Sequence, residues 1–187
     1  MQNKYLKQII GFGLIIDIII LDQLTKWGIL EYIMRPLAFP ESQPLGLFTW
    51  IANAPERFPT VSTEILPFFN LTMVWNQGVS FGLFQSGNPW PLIILASGIS
   101  VFFAFWLARA QTWGQAIALG CVIGGALGNV IDRLRFGAVA DFFDFHVMGW
   151  HYPAFNIADS CITLGIAFLI FDGIVLEPKR KRTNITT

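Results

Sequence analysis

The chain has 187 residues, of which 54% are hydrophobic and only 13% are charged. Its 18 phenylalanines and 7 tryptophans are more aromatic surface than a small soluble domain can bury, so the composition indicates a membrane protein. The formal net charge is zero and the densest basic cluster is the run KRKR at residues 179–182, which argues against a nucleic-acid partner.

Four apolar segments are long enough to cross a bilayer, since about 20 helical residues span about 30 Å of hydrocarbon. These predicted transmembrane helices are residues 9–30, 90–108, 112–131 and 155–176. We therefore predict an all-α membrane protein in which residues 1–187 form a single membrane domain. A secretory signal peptide is the alternative for the first segment, but Asp17 and Asp22 interrupt it and no small-residue cleavage site follows.

Basic residues predict the orientation of these spans. Lys4 and Lys7 precede the first span, Arg109 lies between the second and third, and residues 179–182 follow the fourth. Because cytoplasmic loops are enriched in lysine and arginine, both termini are predicted to be cytoplasmic. Residues 31–89 are then an extracytoplasmic segment on the opposite side of the membrane.

This extracytoplasmic segment has its own predicted structure. Its prolines break long helices, whereas the run FFNLTMVW at residues 68–75 alternates in polarity and is rich in aromatic and β-branched residues. We therefore predict a small extracytoplasmic β-sheet or lid that rests on the outer face of the membrane.

Metal and disulfide chemistry find little support. Cys121 and Cys161 lie within apolar runs, where a free thiol behaves as a small hydrophobic group. His146 and His151 show no ligand spacing with them. We expect no disulfide, no metal and no cofactor.

Carboxylates beside apolar runs are the candidate functional groups, because an ionisable side chain at a bilayer is costly and most often marks a site of chemistry. At a rise of about 1.5 Å per residue, four of them are expected to meet near the outer surface: Asp22, Asp132, Asp141 and Asp159. By the same measure Asp17 lies near mid-bilayer and Asp172 near the cytoplasmic end, so we expect neither in this cluster.

Two of these carboxylates have a purely structural interpretation in local pairs. Asp132 is followed by Arg133, which suggests an interfacial ion pair. Asp22 and Lys26 are four residues apart, so they face each other across one helical turn and can neutralise one another.

Asp141 and Asp159 form the predicted catalytic pair. Asn156 and Asp159 have the spacing of a helix N-cap with an acidic third residue, which is a structural alternative for Asp159. Asp141 has no such alternative, because no basic residue lies between Arg135 and Lys179. Two neighbouring carboxylates share a proton, and such a pair can activate water and protonate a leaving amine.

Two other functions are compatible with the composition. A small membrane transporter or proton-relay protein would use intramembrane carboxylates such as Asp17 and Asp172, but no internal repeat or broken-helix pair supports it. A structural scaffold would explain the small residues GGALG at 124–128 as a helix-packing surface. Neither function accounts for the pair Asp141 and Asp159.

Five motifs occur in one order along the chain: DQLTK (22–26), NQGVSFG (76–82), GGALGNVIDR (124–133), VADFFDF (139–145) and PAFNIADS (153–160). In this order among four spans, they resemble the lipoprotein signal peptidase family, also called signal peptidase II. The resemblance covers about residues 10–176.

This resemblance implies an intramembrane aspartyl endopeptidase, a multi-pass protein of the bacterial cytoplasmic (inner) membrane with its active site at the outer face. Such an enzyme removes signal peptides from prolipoproteins that carry a diacylglyceryl cysteine, and cuts just before that cysteine. It is the target of globomycin-type inhibitors. The implied partners are prolipoprotein substrates and membrane lipid, and we expect a monomer.

The resemblance also assigns residues. The catalytic aspartates are Asp141 and Asp159, and no metal is involved. The positions that match substrate-binding or supporting residues are Asp22, Lys26, Asn76, Gly78, Asn129, Asp132, Arg133, Asn156 and Ala158.

The chain departs from the family pattern in three places. Residues 38–60 resemble an insertion, Trp75 stands where a basic residue is common, and Ala140 replaces a usual valine. The insertion combines prolines with Leu45, Phe48 and other apolar residues, so we expect an amphipathic patch against the membrane interface rather than a catalytic element.

Overall fold

The computed structural model describes residues 5–78 and 88–180 of the chain. Within these residues, three helices, two strands, two helices, two strands and a last helix follow one another along the chain. The elements are α1 (Leu6–Ile29), α2 (Arg35–Ala38), α3 (Leu47–Ala52), β1 (Ser62–Leu66), β2 (Phe69–Asn76), α4 (Trp90–Leu107), α5 (Trp113–Phe136), β3 (Val139–Val147), β4 (Trp150–His151) and α6 (Ile157–Phe171).

Four helices in the described residues are long and apolar enough to cross a membrane, which confirms the four predicted spans: Leu6–Ala38, Trp90–Leu107, Trp113–Phe136 and Ile157–Arg180. The first and last of these continue through wider π-helical turns at Leu30–Met34 and Asp172–Leu176. A small antiparallel sheet accompanies them.

The first helix is longer than predicted. It continues past residue 30 to Ala38, so the start of the segment assigned to the extracytoplasmic side is helical. Glu31 is fully buried there and accepts hydrogen bonds from Arg35 Nη2 at 2.9 Å and from the backbone N–H of Leu45 at 2.8 Å. Because these charges are paired one turn apart, they do not end the helix.

The third span also extends beyond its predicted end at residue 131, to Phe136. The helix ends at Gly137, whose φ of 69° lies in the left-handed region that favours glycine, and whose N–H bonds to the carbonyl of Arg133. This turn sends the chain directly into β3, which carries Asp141.

Helix α5 lies at the centre of the bundle and packs against α1, α4 and α6. A Cβ on Gly128 would lie 2.7 Å from Oδ2 of Asp22, so only glycine allows α1 to approach this closely. A buried apolar cluster joins α1, α4 and α5: Ile15, Leu107, Ala110, Ala116, Leu119 and Ile123.

The sheet has the strand order β1-β2-β3-β4 with antiparallel neighbours. Strand β2 confirms the strand predicted at residues 68–75. Strand β3 was not predicted, because four of its first five residues are apolar and show no alternation of polarity. The strand forms by pairing with β2, in a register that places Val74 opposite Asp141.

The sheet rests on the C-terminal end of the first helix. A buried cluster links the helix to both central strands: Leu30, Met34, Phe58, Leu71, Met73, Ala140 and Phe142. Phe155, just before α6, bridges to Phe143 of β3. These contacts place Asp141 beside the first turn of α6.

The insertion at residues 38–60 contains α3, a short helix with one buried face. Trp50 is fully buried, while Phe48 and Ile51 are 87% and 57% exposed. The guanidinium of Arg135 lies 3.9 Å from the centre of the Trp50 ring. The amphipathic character agrees with the sequence analysis, and contact with the membrane interface stays a prediction.

Candidate active site

Strand β3 holds Asp141 in a buried position, with 1% of the residue exposed. Its two oxygens accept hydrogen bonds from the side-chain amides of Asn76 at 3.0 Å and Asn156 at 2.8 Å. Burial, reinforced by the negative charge of Asp159, raises the pKa of Asp141 well above its ordinary value. This carboxyl group therefore holds its proton more strongly than an ordinary aspartate.

Asp159 lies in the first turn of α6 and takes part in a reciprocal cap. Its backbone N–H donates to the Asn156 side chain at 2.9 Å, and its Oδ2 accepts the Asn156 backbone N–H at 3.3 Å. The predicted N-cap is therefore confirmed. Its other oxygen, Oδ1, accepts a hydrogen bond from the side-chain amide of Asn129 at 2.8 Å.

The two asparagines connect the two aspartates. The amide of Asn156 reaches Oδ1 of Asn129 at 3.2 Å while it also donates to Asp141. Asn129 in turn donates to Asp159. The two carboxyl groups are thus held by amide donors that are themselves linked, and the pKa of Asp141 is raised in part by the charge of Asp159.

Lys26 lies behind this pair and is 1% exposed. Its ammonium group binds Oδ2 of Asp22 at 2.8 Å and Oδ2 of Asp132 at 2.7 Å. The predicted pairing of Asp22 with Lys26 is therefore confirmed. A third contact, at 3.4 Å, reaches Oδ1 of Asn129.

The two carboxylates around Lys26 also hold the backbone beside the candidate catalytic residues. Asp22 Oδ1 accepts the N–H of Ala158 at 3.1 Å, and Asp132 Oδ2 accepts the N–H of Ala140 at 3.1 Å. Ala158 and Ala140 directly precede Asp159 and Asp141. This buried triad therefore fixes both backbone segments that carry the pair.

The predicted ion pair between Asp132 and Arg133 is wrong. Successive side chains on a helix point about 100° apart, so Asp132 turns into the bundle towards Lys26. Arg133 donates instead to the carbonyls of Asn129 and Gly78, each at 3.4 Å. Its charge interacts with both Asp141 and Asp159.

The structure brings together all the residues that the sequence analysis assigned to the site. Gly78 joins through its N–H, which donates to Oδ1 of Asn76 at 3.1 Å. Residues 79–82 of the NQGVSFG motif lie outside the described residues. Asp17 is exposed on α1 and Asp172 is bound by Arg180 at 2.9 Å, so neither joins the cluster, as expected.

A cavity of about 850 Å³ opens beside Asp159. Asp159 and Asn76 contribute polar groups to its wall, and the remaining wall is largely aromatic and aliphatic. The apolar residues that line it include Trp150, Tyr152, Phe155, Ile162 and Leu164. An elongated, largely apolar ligand could therefore lie against the carboxylates.

One polar pair at the cavity was missed by the sequence analysis. His151, which lines the cavity, bonds through Nδ1 to Oδ1 of Asp144 at 2.7 Å, and Thr72 donates to the other oxygen at 2.8 Å. Burial raises the pKa of Asp144, but these hydrogen bonds outweigh it, so the pKa is lowered overall. The antiparallel pairing of β3 with β4, which places His146 opposite His151, brings His151 close to Asp144. The sequence analysis did not predict this pairing.

Residues 14–175 match the family model described as signal peptidase (SPase) II. The chain belongs to the signal peptidase II family. Membership makes it a peptidase, and its four candidate spans make it a multi-pass membrane protein.

Several relatives agree over nearly the whole chain. The lipoprotein signal peptidase of Rhizorhabdus wittichii is 36% identical over 181 residues, which cover 94% of this chain and 92% of that protein. The lipoprotein signal peptidase of Sphingopyxis alaskensis is 36% identical over 184 residues, which cover 95% and 91%. That of Paraburkholderia phymatum reaches 46% identity over 115 residues, covering 59% and 69%.

Two solved structures share the fold. One is a bacterial membrane enzyme determined by the in meso method at 2.3 Å resolution, with a TM-score of 0.66 and 26% identity over 91% of this chain and 90% of that one. The other, at 1.9 Å resolution, has a TM-score of 0.63 and 26% identity over 89% of this chain and 93% of that one.

Proposed function

We propose that this member of the signal peptidase II family removes signal peptides from diacylglyceryl-modified prolipoproteins, and that Asp141 and Asp159 activate the water that cleaves the bond before the lipidated cysteine. The observation that carries the proposal is the pair itself. Each carboxylate is held by an amide donor, from Asn156 or Asn129, and Asp159 helps to raise the pKa of Asp141.

The proposed mechanism is general acid–base catalysis. Asp159, which borders the cavity, accepts a proton from water as the water oxygen attacks the scissile carbonyl carbon. Asp141 begins protonated and donates a hydrogen bond to the developing oxyanion. Collapse of the tetrahedral intermediate breaks the carbon–nitrogen bond, and the leaving amine takes up a proton from the pair. Because the protonated form is required, cleavage should fall as pH rises through the raised pKa of Asp141.

The cavity supports a lipidated substrate. Its aromatic and aliphatic wall continues along α6 at Ile162 and at Leu164, which is 70% exposed. A prolipoprotein has two acyl chains and an apolar signal helix, so it is delivered by lateral movement within the bilayer. The carboxylates then need only reach the peptide bond beside the lipidated cysteine.

We propose that the remaining site residues position this pair. Asp22, Lys26 and Asp132 hold the two backbone segments, and Ala158 supplies one of the N–H groups that they bind. Arg133, near Gly78, places a positive charge by the two carboxylates and can bind a substrate carbonyl. Globomycin-type inhibitors would occupy the same cavity.

We further propose that the active site faces the outside of the bacterial inner membrane and that both termini are cytoplasmic. Lys7, Arg109 and Arg180 lie at the end of the bundle opposite to the site, which agrees with the enrichment of basic residues on the cytoplasmic side. The protein acts as a monomer in this proposal.

A gel-shift assay on a diacylglyceryl-modified prolipoprotein tests the function. The wild-type enzyme should cleave it in the presence of a chelator and should be blocked by globomycin. Asp141→Asn and Asp159→Asn should each abolish cleavage per folded molecule, and the double variant should do little more. Asp17→Asn, on the exposed face of α1, is the matched control and should cleave normally.

Full activity in Asp141→Asn would overturn the assignment of the pair while leaving the family function intact. Absence of cleavage by the folded wild-type enzyme would overturn the function itself. A transporter or proton relay based on Asp17 and Asp172 gains no support from the structure, because Asp172 is tied to Arg180 at the far end of the bundle.

A further inference from the structure

A second cavity, of about 560 Å³, lies at the end of the bundle far from Asp141 and Asp159. It opens between the end of α4, the start of α5 and the continuation of α6. We propose that this cavity binds the phosphate group of an anionic phospholipid. The site is independent of the proposed catalytic function, and none of its residues belongs to the candidate active site.

The wall of this cavity is built around a buried carboxylate. Asp172 is 3% exposed. It accepts hydrogen bonds from both terminal nitrogens of Arg180, each at 2.9 Å, and from the side-chain amide of Gln115 at 3.0 Å. Arginine has five N–H donors, of which this fork uses two. The guanidinium is therefore fixed in place at the wall of the cavity.

Arg109 supplies the second positive charge. It is exposed at the end of α4, where its Nη1 donates to the carbonyl of Phe105 at 3.3 Å. Lys7 donates to the carbonyl of Gln111, a residue that lines the cavity, at 2.7 Å. With Arg180, these side chains give three positive charges against two carboxylates among the described residues of this region, Asp172 and Glu177, so the cavity favours an anion.

The surroundings favour a lipid phosphate over free phosphate. Trp106 lines the cavity and is 40% exposed, and tryptophan prefers the level of the headgroups. Phe102 and Phe105, on α4 just before the cavity, are 64% and 62% exposed. Acyl chains can pack against this apolar face while the headgroup phosphate meets the guanidinium groups, as basic pockets between helices do for anionic lipids.

Calorimetric titration of the full-length protein in a neutral detergent with short-chain phosphatidylglycerol tests the site. Arg109→Gln should weaken binding about fivefold, since one surface arginine contributes about that much to the attraction of an anionic lipid. Glu177→Gln should have the opposite effect and increase the affinity for phosphatidylglycerol, because it removes a carboxylate that repels phosphate. Cleavage of prolipoprotein by Arg109→Gln in detergent should be unchanged.

The matched controls remove the same charges at the other end of the molecule. Arg57 donates to the carbonyl of Phe136, and Glu64 is exposed on β1. Arg57→Gln and Glu64→Gln should each leave the affinity for phosphatidylglycerol unchanged. Equal affinities for phosphatidylglycerol in wild type and Arg109→Gln would overturn the site. So would equal binding of short-chain phosphatidylcholine, and equal binding of inorganic phosphate would replace the lipid by a free-phosphate site.

Discussion

The side-chain amide of Asn156 donates a 2.8 Å hydrogen bond to the carboxylate of Asp141. The oxygen of the same side chain accepts the backbone N–H of Asp159 and so caps α6. One residue therefore begins the fourth membrane-spanning helix and orients the strand aspartate. The N-cap predicted in the motif PAFNIADS is therefore confirmed, and it is compatible with the proposed catalytic role of the pair, because the cap and the bond to Asp141 use different atoms of the Asn156 side chain.

Substitutions of Asn156 separate these two roles. Asn156→Ser keeps an oxygen that can cap α6 but loses the amide that binds Asp141, whereas Asn156→Ala loses both. We expect cleavage to fall strongly in both variants. Asn156→Ala should also lose about 1 kcal/mol of stability through the missing cap. Thermal unfolding and turnover per folded molecule measure the two effects, and wild-type turnover in Asn156→Ser would contradict a role for the amide.

Lys26 is expected to be the most sensitive structural residue. Lys26→Met leaves Asp22 and Asp132 buried without a counter-charge, so it should cost about 3–5 kcal/mol of folding stability. Lys7→Met removes the same charge at a half-buried position where it binds the backbone carbonyl of Gln111, and should change stability little. Chemical denaturation in detergent compares the two variants.

The same triad gives a prediction for Asp132. Asp132→Asn should destabilise the protein through loss of its bond to Lys26, with residual activity wherever the protein folds. A stable but inactive Asp132→Asn beside an active Asp141→Asn would instead make Asp132 the partner of Asp159.

Asp144 should make stability depend on pH. Because its folded pKa is lowered below the ordinary 3.8, its ionised form stabilises the fold above that value. This contribution is lost as pH falls through the lowered folded pKa. Unfolding temperatures of wild type and Asp144→Asn should therefore differ at neutral pH and converge in acid. Glu64→Gln, exposed on β1 of the same sheet, is the control, and a pH-independent difference would contradict the argument.

The orientation in the membrane is directly measurable. Reporter fusions after Arg180 should behave as cytoplasmic, and reporters inserted within residues 40–60 should behave as external. An external carboxyl terminus would reverse the proposed side of Asp141 and Asp159, whatever the outcome of the cleavage assay.

The insertion at residues 38–60 should affect substrate binding more than turnover. Phe48 is 87% exposed, so Phe48→Ala should raise KM with little change in kcat or stability. Trp50 is fully buried beside Arg135, so Trp50→Ala should cost about 3–5 kcal/mol of stability. Loss of kcat at unchanged KM in Phe48→Ala would show that the segment helps to assemble the active site.

Local patterns in the sequence determined much of this architecture. Apolar run lengths predict the four spans, since the thickness of a bilayer sets the length of a spanning helix. Alternation at residues 68–75 predicts β2, and spacings of three and four residues predict the Asn156 cap and the pairing of Asp22 with Lys26. These features depend on residues within one or two turns of each other.

Only the tertiary structure decided which distant groups meet. Asp132 pairs with Lys26 rather than with the adjacent Arg133, because the helix directs neighbouring side chains to different faces and α1 packs closely on α5. Strand β3 exists because β2 offers it hydrogen bonds, and this pairing brings Asp141 to the first turn of α6. The sequence proposes Asp141 and Asp159 as the pair, but their geometry depends on how helices and sheet pack together.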